Sequence, residues 1–464
     1  MNYFNNVFIF LLIIIKSQIK GIPLIIPFES PIKKDLTPDN YFSSLYTNEL
    51  KITLKVGSHQ QSIPCYLNLN SHTVYISGSD SELKNGQPKY QEYKSTKYTN
   101  ISDTITSESF YVVGMPSKDE IRLNDNQVTE LKFYLAKSRF SENELIYSCM
   151  IGLGYEEVFY DDDDATGYLT ELESFITQMK NNNIINKKVF FIKYNDNNEN
   201  GEIVFGTFPH EIKDKYCESC EEEDFIEGDN TYTSDFQIIW ALKGNIYFGE
   251  KLLFNYLSSI DFELNLGFII GSYSYKKEMM NSFFNDKISE GECFTQEIYQ
   301  QKRALDVYYC KKNVDITKIE KLIIVIDKIK YKIEFSYNDL FTLNGDYLYF
   351  NVLFTQDEDE FKNDFILGKP VFKKYPLVFR FLTRNEKIGF YNNFSYSKKG
   401  SIDNNIDKEK SGGGTKLTII LIVIGIIIIC LLSYIIFRYY KKPRKTKVNE
   451  LIEFFDYSAK QGNI

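Results

Sequence analysis

The chain has 464 residues, of which 43% are hydrophobic and 16% aromatic, a composition that excludes a wholly disordered protein. Its net charge is −9, and its basic residues are scattered except near the C-terminus, which argues against a nucleic-acid-binding protein. Three histidines and no clustered Cys or His argue against a structural zinc site, and we expect neither a metal nor a cofactor. The length predicts two lobes or domains.

The N-terminal end predicts secretion. Residues 1–21 are interpreted as a signal peptide, because Val7–Ile15 is a nine-residue apolar run that is too short to span a bilayer. We expect cleavage near Gly21. A buried strand is the alternative interpretation of this run.

The C-terminal end predicts a membrane anchor. Leu417–Phe437 contains 21 residues without a charge, about the length that crosses the hydrocarbon core. Residues 438–464 begin with a basic cluster, which predicts a cytoplasmic tail, and the polar, Gly/Ser-rich residues 395–416 predict a flexible stalk. The pattern is typical of a single-pass type I membrane protein with a lumenal or extracellular ectodomain.

Between these ends the chain reads as many short strands rich in β-branched and aromatic residues and separated by Gly, Asn and Asp. Examples are Lys51–Val56, Phe110–Val113, Glu202–Phe205 and Leu322–Ile326. Helical patterning is confined to short pieces such as Tyr168–Lys180 and Lys277–Phe284. We therefore predict an all-β-dominated ectodomain.

An internal repeat predicts two halves of similar construction. Leu67–Ser71 ends one strand, and a similar segment, Phe262–Gly267, follows 195 residues later. Each is followed downstream by a hydrophobic-hydrophobic-Gly strand, Met150–Gly152 in the first half and Ile366–Gly368 in the second. This arrangement is typical of a bilobal protein.

Over about residues 45–391 the chain resembles the pepsin-like aspartic peptidases. The segments that carry the resemblance are Leu50–Gln61, Cys149–Gly154, Gly201–Gly206, Trp240–Leu242, Ile366–Phe379 and Lys387–Phe390. The resemblance implies two six-stranded β lobes, residues 46–187 and 188–394, around a central cleft that binds a peptide or protein ligand. Residues 22–45 would be a short leader, the remnant of a prosegment, without an obvious helical body or an inhibitory lysine other than Lys33 and Lys34.

Six of the seven cysteines lie in the predicted ectodomain, where an oxidising compartment favours disulfides. The two cysteines of Cys217-Glu-Ser-Cys220 stand beside a run of acidic residues, which favours a structural loop closure over a redox motif. The resemblance implies a disulfide between Cys293 and Cys310, and it places Cys65 and Cys149 on neighbouring strands, where a disulfide is a hypothesis.

Two further patterns concern the surface of the ectodomain. Asn100 and Asn393 each begin an Asn-X-Ser sequence and are predicted glycosylation acceptors. The four adjacent carboxylates Asp161–Asp164 are interpreted as a solvated loop rather than a calcium site.

The resemblance also locates the residues that would carry the chemistry. Aspartic peptidases use two aspartates, each in an Asp-Thr-Gly loop, that share one proton. Alignment puts Asn68 and Glu263 at the two Asp positions, with Leu at each Thr position and Asn at each Gly position, Asn70 and Asn265. Asn68 cannot ionise and Glu263 is one methylene longer, so we predict a catalytically inactive homologue.

The resemblance also locates the flap, the hairpin that covers the substrate in the family. Ser107 occupies the position of the flap tyrosine, and Phe110 or Tyr111 are the substitutes for it.

Two alternatives to an inactive homologue stay open. A working endopeptidase with an altered Asn68/Glu263 centre, or with Asp261 as the acid in a shifted register, is the first alternative. A surface adhesion or structural protein is the second.

Overall fold

The computed structural model describes residues 23–30, 36–46, 50–72, 74–81, 83, 86–102, 106–108, 112–138, 147–154, 172–195, 200–231, 240–300, 303–355, 365–382 and 386–392. The predicted signal peptide, stalk, membrane span and tail lie outside these residues. Within the described ranges no helix has the length and apolar character needed to span a bilayer.

Strands dominate the described chain, as the sequence predicted. The strands of the first half are β1 (Leu24–Glu29), β2 (Lys51–Val56), β3 (Gln61–Asn68), β4 (Val74–Ser77), β5 (Thr99–Asn100), β6 (Thr106–Glu108), β7 (Val112–Asn124), β8 (Gln127–Ser138), β9 (Cys149–Gly152), β10 (Val189–Tyr194), β11 (Asn200–Phe205) and β12 (Phe225–Asp229). Those of the second half are β13 (Ala241–Phe248), β14 (Lys251–Leu252), β15 (Ser258–Phe262), β16 (Ile269–Gly271), β17 (Cys293–Gln300), β18 (Arg303–Lys311), β19 (Leu322–Ile326), β20 (Lys332–Phe335), β21 (Phe341–Asn344), β22 (Tyr347–Phe350), β23 (Val352–Thr355), β24 (Phe365–Leu367), β25 (Val378–Arg380) and β26 (Lys387–Tyr391).

The helices are short. They are α1 (Pro38–Tyr46), α2 (Phe175–Asn181), α3 (Lys213–Tyr216), α4 (Tyr273–Met279), α5 (Asn285–Ser289), α6 (Tyr337–Leu340) and α7 (Lys369–Lys374), with a π-helical turn at Met280–Phe284 and 3₁₀ turns at Glu92–Lys94, Pro209–Ile212 and Glu222–Asp224. The range 277–284, predicted as one helix, therefore comprises the end of α4 and the π-helical turn. Of the predicted helix over 168–180, the structure has α2, which begins at Phe175 after the cap Ser174.

The expectation of two six-stranded lobes is wrong in its strand count. Among the described residues the strands form a sheet of 14 in the order β12-β26-β25-β10-β11-β1-β2-β3-β9-β4-β8-β7-β5, with β6 on β7, and a sheet of 12 in the order β20-β19-β13-β15-β24-β16-β23-β18-β22-β21, with β14 on β13 and β17 on β18. The first sheet is larger because β1 links two groups of strands. It pairs with β11 along six residues and with β2 through Glu29 and Lys51.

The two sheets contain the same local motif, which accounts for the internal repeat. In the first sheet β9 lies between β3, to which it is parallel, and β4, to which it is antiparallel, and β4 continues parallel to β8. In the second sheet β24 lies in the same way between β15 and β16, and β16 continues parallel to β23. One of the two predicted catalytic positions stands in each motif at the end of its first strand: Asn68 is the last residue of β3, and Glu263 directly follows β15.

The predicted leader has a helix, contrary to the expectation that it lacks a helical body. Helix α1 begins with Pro38 in its first turn, where the missing N–H of proline has no cost, and the N–H of Tyr41 donates to the carbonyl of Thr37. Its apolar residues Tyr41, Phe42 and Leu45 are buried against the second sheet. Burying one such side chain contributes about 1.5–3 kcal/mol, so the packing of α1 outweighs its weak intrinsic helix signal.

The structure contains the three disulfides expected from the sequence. They are Cys65–Cys149, Cys217–Cys220 and Cys293–Cys310. The first joins β3 to β9 beside the first predicted catalytic loop, the second closes a turn after α3, and the third joins the paired strands β17 and β18.

Candidate active site

A backbone hydrogen bond anchors each predicted catalytic position to the neighbouring parallel strand or its end. Asn68 ends β3, and its carbonyl accepts a hydrogen bond from the N–H of Leu153, which directly follows β9, at 2.6 Å. Glu263 follows β15, and its N–H donates to the carbonyl of Leu367 in β24 at 3.0 Å. The two bonds use different backbone groups, but both tie the loop to the strand that pairs in parallel with the loop's own strand.

Within each loop the side chain at the Asp position closes the same local turn. The side-chain oxygen of Asn68 accepts from the N–H of Asn70 at 2.7 Å, and that of Glu263 accepts from the N–H of Asn265 at 3.2 Å. This turn, in which a side-chain oxygen binds the backbone two residues on, suits Asn and Asp especially well. Both loops therefore keep the same turn although their side chains differ from each other.

The second oxygen of Glu263 lies across from the first loop. Asn70 donates from Nδ2 to Glu263 Oε2 at 2.5 Å, which joins the two loops directly. Asn68 is oriented differently, because its Nδ2 donates to the sulfur of Met150 at 3.2 Å. The structure thus brings Asn70 into contact with Glu263, and the sequence analysis did not identify Asn70 as that partner.

Burial raises the pKa of the Glu263 carboxyl above its ordinary value. The N–H of Asn265 and the amide of Asn70 oppose this effect by hydrogen bonding to the carboxylate, whereas the charge of Asp261 adds to it. The raised pKa favours the protonated acid over a wider pH range than for a solvated glutamate. Amide and backbone donors only partly compensate for the water that the carboxylate has lost.

The remaining loop positions are packed rather than polar. Leu69 and Leu264, at the two Thr positions, are fully buried and belong to the main hydrophobic core. Asn265 is half-buried, and its Oδ1 has no hydrogen-bond partner within the described residues. Hydroxyl groups at the Thr positions are therefore replaced by apolar packing in both loops.

Asp261 is directed into a local contact within its own strand. It lies in β15, two residues before Glu263, and its Oδ1 accepts from the hydroxyl of Ser259 at 2.8 Å. Its backbone pairs with Ala241 on one side and Ile366 on the other.

The leader helix ends next to the second loop. Gly267, four residues beyond Glu263, donates its N–H to the carbonyl of Leu45 at 3.0 Å. The sequence analysis missed this contact. The spacing of Tyr41, Phe42 and Leu45 after Thr37-Pro38 is the signal that could have found the helix, since these positions lie on one helical face.

The predicted flap corresponds to a hairpin, of which the structure describes the two strands. β6 pairs antiparallel with β7, and Ser107 lies opposite Val113. Phe110 and Tyr111 lie outside the described residues, so the choice of a flap side chain stays a prediction.

The surface predictions fall partly outside the described chain. Asn100 ends β5 and is half-buried, whereas Asn393 and the acidic run Asp161–Asp164 lie outside the described residues. Glycosylation therefore stays a prediction. In the part of the chain that the structure describes, no three His, Cys, Asp or Glu side chains are grouped so that they could hold a metal ion.

Comparison with known proteins agrees with the resemblance in the first part of the chain. No curated protein was found to match. Residues 49–225 match the family model of the eukaryotic aspartyl proteases, a range that includes Asn68 and ends before Glu263. The match supports the resemblance to the pepsin-like aspartyl proteases over residues 49–225.

Proposed function

We propose that the protein is a single-pass type I membrane protein whose ectodomain, a homologue of the pepsin-like aspartic peptidases, binds a peptide or protein segment in its cleft without hydrolysing it. The observation that carries this proposal is the 2.5 Å contact between the Asn70 amide and the Glu263 carboxyl. It joins an amide to a carboxyl group, whereas hydrolysis by an aspartic peptidase needs two carboxyl groups that share a proton.

The chemistry explains why this difference matters. One carboxylate of the aspartic pair accepts the proton of the attacking water while the other donates a proton to the substrate carbonyl. The amides of Asn68 and Asn70 do neither, because a carboxamide does not titrate in the physiological range. Loss of one member of a catalytic unit generally removes most of the activity, since the members act together.

The same groups suit the recognition of a peptide backbone. Carboxamides offer both donors and acceptors, and a carboxyl group held by neighbours accepts from an N–H with little reorganisation. Asn70 is exposed and Glu263 is half-buried, so both belong to a surface from which a ligand could be contacted. Membrane attachment is supported by the uncharged segment 417–437 and the basic residues after it.

The decisive experiment measures cleavage and binding together. The full chain in detergent is incubated with a diverse peptide library from pH 3 to 7; mass spectrometry detects cleavage, and equilibrium capture detects bound peptides. We expect bound peptides and no cleavage. Glu263→Gln is assayed beside Glu250→Gln, the same change at an exposed position in the turn after β13. Cleavage that Glu263→Gln abolishes and Glu250→Gln preserves would contradict inactivity.

Attachment to the membrane is tested separately by extraction of cell membranes at alkaline pH. The full chain should stay in the pellet, and a chain that ends at residue 416 should be released. Retention of the shortened chain would contradict an anchor at residues 417–437.

One observation favours a second candidate, a peptidase that uses a carboxylate and an amide. Glu263 has a pKa raised by burial, which makes its carboxylate a stronger base than a solvated glutamate, and an amide donor stands beside it. Glu263 would take a proton from water as the water oxygen bonds to the peptide carbon, and an amide N–H of Asn70 would stabilise the negative oxygen. The intermediate would then expel the amine, which takes the proton from Glu263. Asn70→Ala would lower such cleavage about 10²-fold or more, whereas under the main proposal there is no cleavage to lower.

A further inference from the structure

The hairpin of β13 and β14 and the segment after it expose a cluster of apolar side chains. Among the described residues eight large apolar side chains are exposed, and three of them, Leu252, Tyr256 and Leu257, lie within six consecutive residues. Each of the three is 41–49% exposed. Tyr247 pairs with Leu252 across the hairpin and is partly exposed, and cross-strand partners lie on one face of a sheet. We name these four residues the hairpin patch.

The segment that carries the hairpin patch is held in place by the core. The N–H of Leu253 donates to the carbonyl of Ile246 at 2.9 Å, and the side chain of Phe254 is buried in the main core. Phe254 therefore fixes the segment at its middle, with exposed patch residues on both sides of it in sequence. Apolar side chains that stay in water gain little from folding, so their clustering on a fixed segment indicates a contact outside the chain.

The size of the hairpin patch favours a lipid surface over a protein partner. Four partly exposed side chains offer on the order of a few hundred Å², whereas a stable protein–protein interface buries about 800 Å² on each partner. Tyrosine is a typical residue of the boundary between lipid headgroups and acyl chains. A small area is sufficient for a lipid contact in a chain that is already anchored, because the anchor gives a high local concentration of bilayer.

The charges beside the hairpin patch fit a neutral lipid surface. The ammonium group of Lys251 donates to the carboxylate of Glu278 in α4 at 2.8 Å, and Glu250 is exposed. These neighbours have no excess of positive charge that would attract anionic lipids, which are concentrated in the cytoplasmic leaflet. The predicted topology puts the ectodomain on the opposite side of the membrane, where the leaflet is closer to neutral.

The hairpin patch is connected through one strand to the region where the last strand of the ectodomain ends. The carbonyl of Tyr391 accepts from the hydroxyl of Tyr331 at 3.3 Å, and the carbonyl of Tyr331 accepts from the N–H of Ile326 at 2.8 Å. Ile326 pairs with Gly244, and from there β13 runs four residues, about 13 Å, to its end. A flexible stalk of the length of residues 395–416 spans about 25 Å on average, so a bilayer at the predicted anchor is within reach of the patch.

We propose that the hairpin patch is a second membrane contact, in which Leu252, Tyr256 and Leu257 insert at the headgroup boundary of a neutral phosphatidylcholine bilayer. This inference rests on the membrane anchor of the proposed function and goes beyond it, because a second contact gives the ectodomain an orientation. The β13–β14 hairpin would stand on the bilayer, and the ectodomain would not turn freely about its stalk.

The test uses the full chain in phosphatidylcholine nanodiscs whose acyl chains carry bromine, a short-range quencher of tryptophan fluorescence. The chain has one tryptophan, Trp240, which is fully buried, so a second tryptophan can be added as a reporter against a constant background. In Tyr256→Trp we expect the brominated lipid to remove at least half of the added emission. Tyr93→Trp, at a position of the first half that is 69% exposed, is the matched control and should keep its emission.

A second variant separates insertion from mere closeness to the bilayer. Leu252→Ser/Leu257→Ser, made in the Tyr256→Trp chain, changes two exposed positions, so the chain should still fold, and quenching should fall to the level of the Tyr93→Trp control. Anionic lipid added to the nanodiscs should not change the quenching of Tyr256→Trp, because the charges beside the hairpin patch have no positive excess.

Two fluorescence results would overturn the inference. One is a Tyr256→Trp chain that is quenched no more than Tyr93→Trp. The other is an emission of Tyr256→Trp that shifts with protein concentration in lipid without bromine, which would assign the hairpin patch to a second copy of the chain. Alkaline extraction of the same preparations decides the anchor separately. Retention of the full chain with an unquenched reporter rejects the patch alone and leaves the proposed function standing, whereas release of the full chain rejects the anchor and this inference with it.

Discussion

The equivalent faces of the two lobes are covered in different ways. In the first lobe Tyr75 on β4 and Tyr134 on β8 form a small apolar cluster that is closed by Leu172. Ile270 and Leu353 occupy the matching positions of β16 and β23, and there the cover is helix α1. A residue near α2 closes the first face, whereas a segment some 220 residues away in the chain closes the second. A repeated motif therefore produces the same apolar face twice, and the two faces are covered by unrelated segments of the chain.

The catalytic loops differ in a parallel way. Both close the same turn with a side-chain oxygen, yet Asn68 completes its contacts within its own lobe, through Met150, whereas Glu263 completes its contacts across the lobes, through Asn70. The backbone arrangement is thus shared, and the side-chain chemistry is not. Each of the following substitutions tests how far the two halves are equivalent.

The largest effects are expected where the hydrophobic-hydrophobic-Gly segment of each half ends. A Cβ at Gly368 would lie 2.2 Å from the carbonyl oxygen of Phe268 and 2.3 Å from that of Leu266. Both are backbone atoms, so the clash could be relieved only by moving the main chain. Gly368→Ala should lower the free energy of unfolding by about 4 kcal/mol or more. In the first lobe the fully buried Leu153 directly follows the equivalent glycine, Gly152, and Leu153→Ala should lower the free energy of unfolding by about 2–5 kcal/mol through a cavity. Urea denaturation measures both; a Gly368→Ala chain as stable as the unmodified one would contradict the close approach.

A smaller effect concerns the single carboxyl group of the two loops. Because the folded-state pKa of Glu263 is raised, the folded chain holds more protons than the unfolded chain at pH values above the unfolded pKa of about 4.3. Stability due to this group therefore falls as the pH rises from there through the folded pKa. Glu263→Gln should remove this loss, so the variant should gain stability relative to the unmodified chain between pH 4 and neutral pH. Thermal unfolding of Glu263→Gln at several pH values, with Glu250→Gln as the control, measures the change. A stability advantage of Glu263→Gln that grows as the pH falls would contradict the prediction.

The smallest effect separates the two asparagines at the Gly positions. Asn70→Ala removes a donor to Glu263, so it should lower the free energy of unfolding by about 1 kcal/mol at neutral pH and raise the pKa of Glu263 further. Asn265→Ala removes an oxygen without a partner in the described structure, so it should be neutral or slightly stabilising. Denaturation at neutral pH compares them, and equal losses from both would indicate that the loops are equivalent after all.

The sequence predicted the parts of the fold that depend on local pattern. The strands Lys51–Val56 and Leu322–Ile326 have the predicted bounds, because both are rich in β-branched residues. The three disulfides were also predicted. Strand pairing through β1 and the packing of α1 depend on contacts between distant segments, which no local pattern specifies.

The candidate site also has parts that the sequence predicted and parts that depend on contacts between distant segments. The repeat together with the resemblance to the pepsin-like aspartic peptidases predicted Asn68 and Glu263 as equivalent positions, and in the structure both stand at the end of equivalent strands, β3 and β15. The bond from Asn70 to Glu263 depends on how the two lobes meet, across 193 residues of sequence, and it could not be read from either loop. Similarly, the burial that raises the pKa of Glu263 depends on the packing around it and is not visible in the sequence.

Strand β1, which lies in the predicted leader, protects a strand edge of the first sheet from pairing with other chains. Its residues Leu24–Glu29 fill the space between β11 and β2, and the end of β1 is held where buried Lys369 donates to the carbonyl and hydroxyl of Ser30. A chain shortened to begin at residue 46 would expose the edge of β11, and an unpaired strand edge is a template for pairing with other polypeptides. Maturation that cut the chain after Ser30 would leave β1 in place through its backbone hydrogen bonds, and the product would be a two-chain protein whose first six-residue strand is not covalently attached.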